Sequence, residues 1–79
     1  MILPAKHLRE ERALLTIGAE LLEALREPKT VSRLWSEFSE EKARGAHPVT
    51  YDWFILALDL LFTLGTIEVE RGRLFRVHG

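Results

Sequence analysis

The chain has 79 residues and a formal net charge of -1, from eleven Lys and Arg against twelve Asp and Glu. That length fits a single domain, read as residues 1–79, and the lack of cysteine excludes disulfides, thiolate catalysis and cysteine-based zinc or iron-sulfur sites. Hydrophobic residues at 47% and charged residues at 29% suit a folded globular protein, and the near-even charge balance lacks the basic excess of a general nucleic-acid binder.

The opening Met1 to His7 has no basic segment followed by an apolar run. No stretch reaches the roughly 18 apolar residues of a membrane span, so a cytoplasmic location is expected. The first element is an amphipathic helix over about residues 8–26. Leu14, Ile17, Gly18, Leu21 and Leu25 recur on one helical face, Arg12, Thr16, Glu20 and Glu23 lie on the other, and Pro28 ends the run. Gly18 sits in the middle of the apolar stripe, where a missing side chain lets another element approach.

Thr30 precedes Val31, Leu34, Trp35 and Phe38 and reads as the N-cap of a second helix reaching about Lys42. Its polar last turn, Ser39 to Lys42, is expected to fray. After the Gly45 to Pro48 loop, Thr50 caps a third helix from Tyr51 to Leu64. Asp52 complements its dipole, and Gly65 is placed for a left-handed C-terminal cap.

The tail, Thr66 to Glu70 and Arg73 to Val77 around Arg71-Gly72, predicts two short strands. A two-residue loop puts Ile67 and Val69 on one face with Leu74 and Arg76. A three-residue loop, Glu70 to Gly72, puts them with Phe75 and Val77, and is favoured because it gathers four apolar residues on one face. Three helices and a hairpin, with Met1 to Leu3 a candidate for a further short strand, predict a mainly α, winged helix-turn-helix-like fold with a C-terminal wing.

A DNA-reading helix in such a motif presents polar and basic side chains to the groove. The third helix has no Lys or Arg, and from Gly45 through Glu70 the only charges are Asp52, Asp59, Glu68 and Glu70, a local total of -4. Direct nucleic-acid binding is therefore not expected. The basic residues nearby, Arg71, Arg73 and Arg76, lie on the hairpin and offer at most a weak phosphate contact.

Trp53, Leu60, Leu64, Ala57, Leu61, Phe54, Leu58, Phe62 and Ile55 sweep more than half the circumference of that helix, leaving Asp52, Asp59 and Thr63, with Leu56 among them, as a polar strip. One helix of a domain this small cannot bury so wide an apolar surface against its own core. The surplus predicts a protein interface, with Trp35, Tyr51, Trp53, Leu56 and Leu60 as its candidate contacts.

Chemistry is not legible. His7, His47 and His78 have no metal-ligand spacing, and the adjacent pairs Glu10-Glu11 and Glu40-Glu41 point to different helix faces. Phosphate-cradling loops and nucleophile motifs are lacking too. A non-enzymatic protein with no catalytic, cofactor or metal residues is expected.

Several runs together resemble a known family. They are Ile2 to Leu8, Ala13 to Glu20, Pro28-Lys29-Thr30-Val31-Ser32-Arg33-Leu34-Trp35, and Tyr51-Asp52-Trp53-Phe54 through Phe62 with Gly65-Thr66-Ile67-Glu68. They are similar to middle component 6 of bacterial ABC-three-component systems. The resemblance implies a small winged helix-like protein encoded beside an ABC or SMC-like ATPase and an effector, in operons proposed to act against phage and other invading elements. It implies a coupling role through binding and brings no catalytic residue. Two alternatives stand beside it, a DNA-binding winged helix regulator using Arg71 to Arg76 and a homodimer paired through the third helix.

Overall fold

The computed structural model describes residues 5–45 and 49–77, with the side chains of residues 5–10 left undescribed. His47 and His78, the Met1 to Leu3 strand candidate and the side chains of His7 and Glu10 thus lie outside the described residues. Among the described residues, three helices and three short strands follow in the order α1 (Ala5–Ala24), β1 (Lys29–Thr30), α2 (Val31–Ala43), α3 (Tyr51–Thr63), β2 (Ile67–Glu70) and β3 (Arg73–Arg76). The strands form one antiparallel sheet in the order β1-β3-β2, the arrangement of a winged helix.

The caps follow from the sequence. Thr30 and Thr50, both extended, accept the backbone N–H of Arg33 and Trp53 on their hydroxyls at 3.1 and 3.3 Å, which satisfies an otherwise orphaned donor in the first turn of α2 and α3. α3 stops in a Schellman turn: Gly65 adopts φ 73°, its N–H donates to the Phe62 carbonyl, and the Thr66 N–H reaches back to Leu61.

α1 ends at Ala24, two residues short of the expected boundary, because Leu25 to Glu27 already turn the chain ahead of Pro28. The last turn of α2 does not fray. Lys42 pairs with Glu20 of α1 and lies 5.8 Å from the centroid of the Phe38 ring one turn earlier in α2, so the polar turn is anchored to α1 as well as within its own helix.

The hairpin takes the two-residue loop, contrary to the favoured register. Glu70 pairs with Arg73, Val69 with Leu74, Glu68 with Phe75 and Ile67 with Arg76. Both loop residues are left-handed, Arg71 at φ 54° and Gly72 at φ 79°, the type I′ geometry whose twist matches that of the strands. Counting apolar residues per face misled because the core accepts only Ile67 and Leu74. Val69 stays exposed near the tip, Phe75 is half-buried on the other face, and Val77 leaves the strand with its N–H bonded to the Thr66 carbonyl.

One apolar cluster holds the elements together. Ile17, Leu21 and Leu25 from α1, Leu34 and Phe38 from α2, Phe54, Ala57, Leu58 and Leu61 from α3, and Ile67 and Leu74 from the sheet are all buried. Gly18 has the packing role its position predicts, since a Cβ there would stand 3.2 Å from Cδ2 of Leu61. No described polar or charged residue is buried.

Candidate functional site

With an interior so uniformly apolar, any function has to be sought on the surface, and α3 sets its character. At about 100° per residue, the buried Phe54, Ala57, Leu58 and Leu61 occupy one side of the helix, and Asp52, Asp59 and Thr63 stand opposite them. Between these sides run two apolar flanks.

Trp53, Leu56, Leu60 and Leu64 form one flank at i, i+3, i+7 and i+11. Leu56 and Leu64 are 51% and 58% exposed, while Trp53 and Leu60 are half-buried. Tyr51, Ile55 and Phe62 form the other, with Tyr51 49% exposed. Thr63 returns its hydroxyl to the Asp59 carbonyl at 2.9 Å, which turns a polar group inward on the strip between them.

The five expected contacts therefore do not form one patch. Trp53, Leu56 and Leu60 share the first flank, and Tyr51 lies about 160° around the helix from Trp53. Trp35 joins Tyr51 instead, with ring centroids 5.1 Å apart in an edge-to-face arrangement. Trp35 also lies 5.0 Å from the ring of the buried Phe54, which in turn is 6.2 Å from Phe38. Trp35 and Tyr51 thus form the outer layer of an aromatic stack that joins α2 to α3, and Trp53 is packed against the core along one edge. Leu64 is as exposed as Leu56, and its i+4 spacing from Leu60 marks it as part of the same ridge.

A second feature is electrostatic and only half legible in the sequence. Lys29 of β1 donates to Glu37 at 2.6 Å, the Arg33 Nε donates to the other Glu37 oxygen at 2.9 Å, and Arg33 also reaches Glu27 at 2.8 Å. The hydrogen bonds from Lys29 and then Arg33 lower the Glu37 pKa below the ordinary carboxylate range, and those from Glu37 and Glu27 raise the Arg33 pKa. This network ties the turn after α1 to α2. Its i, i+4 half, Arg33 and Glu37, is visible in the sequence, while Lys29 and Glu27 join only because β1 brings them alongside.

The hairpin arginines sit apart from that network. Arg71, Arg73 and Arg76 are exposed, and among the described residues none forms an ion pair. Also among the described residues, no group of three or more His, Asp or Glu side chains could hold a metal ion. No described helix is long and apolar enough to cross a membrane.

Fold and surface together define a class, a small winged-helix protein whose third helix shows solvent leucines, aromatics and carboxylates where a DNA reader shows basic groups. The chain belongs to the family of Middle Component 6 of ABC-three component systems, whose family model matches residues 3–78. No curated protein and no solved structure matches it. As one component of a multi-component ABC system, it works with other proteins.

Proposed function

We propose that this chain is a non-enzymatic adaptor that couples an ABC or SMC-like ATPase to an effector, docking on a partner protein through the Trp53, Leu56, Leu60 and Leu64 flank of α3. The observation that carries this reading is the exposure of Leu56 and Leu64 on a helix with no basic residue. Exposed apolar ridges of this kind lose unfavourable hydration when a partner covers them, and half-buried aromatic residues at their edge make rigid anchors. Its place in the cell is the cytoplasm, and its role is in systems directed against phage or other invading elements. No bond-making chemistry is assigned to it.

The acidic strip of α3 weighs against the reading as a DNA-binding regulator, because a duplex seated on a helix-turn-helix runs along that helix. A homodimer through α3 would use the same ridge and is separated from the adaptor by mass alone.

Mass-resolved size exclusion of the chain, alone and co-expressed with the products of its neighbouring genes, tests the proposal. A stoichiometric complex with the ATPase is expected. A stable dimer indifferent to every neighbour overturns it.

A further inference from the structure

The hairpin carries cations that the fold does not use. Lys29, Arg33 and Lys42 are each held by a carboxylate, whereas Arg71 and Arg73 have no ionic partner among the described residues. These two arginines, with Arg26 and Arg76, line an open cleft of about 750 Å³ between the turn that follows α1 and the hairpin. Its remaining surface is partly apolar, with Phe75 and Pro28 contributing, and it carries two carboxylates, Glu27 and Glu70. Glu27 is already neutralised by Arg33 at 2.8 Å. Arg26 is likewise paired, with Glu23 at 4.0 Å, which leaves three uncommitted arginines, Arg71, Arg73 and Arg76, beside one uncommitted carboxylate, Glu70.

We propose that this cleft binds an acidic peptide segment of a partner protein, with its carboxylates on Arg71 and Arg73 and an apolar side chain against Phe75 and Pro28. The guanidinium fork matches a carboxylate in bidentate geometry. Exposed ion pairs alone contribute little, so the apolar floor supplies the remaining affinity and makes the occupant a mixed sequence rather than a pure polyanion. A nucleic acid fits less well. A duplex seated on the hairpin would run beside the Asp52 and Asp59 strip of α3, which lies outside the cleft and which a short peptide does not reach. The cleft contains none of the α3 flank residues, so this proposal stands or falls apart from the adaptor interface.

The test is fluorescence anisotropy with the full chain and a short labelled peptide alternating glutamate with leucine. Saturable binding is expected at low salt. It should weaken about tenfold when serine replaces the leucines, and about tenfold again in the Arg71→Asn, Arg73→Ser double variant. Asparagine suits the left-handed turn position, so that variant keeps its fold, which its thermal unfolding midpoint verifies. No saturable binding to wild type, equal binding to the double variant, equal binding of the serine peptide, or displacement of the peptide by a short DNA duplex at lower concentration each overturns the proposal.

Discussion

At Gly18 the helix buries a position that leaves little room for a side chain. The Cβ of an alanine would already stand 3.2 Å from Cδ2 of Leu61, which would have to give by a few tenths of an ångström. A leucine cannot be accommodated so easily, and Gly18→Leu is expected to cost about 1–3 kcal/mol in chemical denaturation. Arg71 is the opposite case, a residue whose backbone is unfavourable where it stands. At φ 54° it occupies the first position of a type I′ turn, which favours asparagine, so Arg71→Asn should raise stability by about 0.5–1 kcal/mol. Glu37 carries a pH signature. Its folded pKa is lowered by Lys29 and Arg33, so its contribution is complete above the ordinary carboxylate range and is lost as pH falls through the folded value. The gap in melting temperature between wild type and Glu37→Gln should therefore be constant from about pH 8 to pH 6 and close toward about pH 3. A gap that widens on acidification would contradict the assignment.

Among the elements, α2 and α3 were readable because their threonine caps, apolar spacing and Gly65 stop all act within a few residues. Thr50→Ala should cost about 1 kcal/mol in the same denaturation assay, as the Trp53 N–H loses its acceptor. The hairpin was readable as an element but not in register. Arg71-Gly72 is a poorer turn signal than Asn-Gly, and which residues on a face reach the core depends on where α1 and α3 leave room. β1 was not readable at all. Two residues carry no periodicity, and Lys29 and Thr30 become a strand only because Leu74 and Arg73 pair with them. The stable last turn of α2 has a similar origin, since the Glu20 partner of Lys42 is distant in sequence. In the candidate interface, the apolar excess of α3 was plain from composition. Its division into two flanks, and the engagement of Trp35 and Tyr51 with Phe54, required knowing which side of α3 faces the core.

For the whole molecule, a small apolar core and an exposed leucine ridge belong to one account, in which covering the ridge adds to both stability and assembly. The test is the mass of the complex formed with the co-expressed ATPase by a variant carrying Leu56→Asp and Leu64→Lys. Both residues are largely outside the core, so the variant should fold, with an unchanged circular dichroism spectrum. Replacing the half-buried Trp53 would disturb core packing as well and give a less direct answer. The account predicts that wild type elutes with the ATPase and the variant elutes as a free, folded monomer. A folded variant that still co-elutes in full stoichiometry would contradict it.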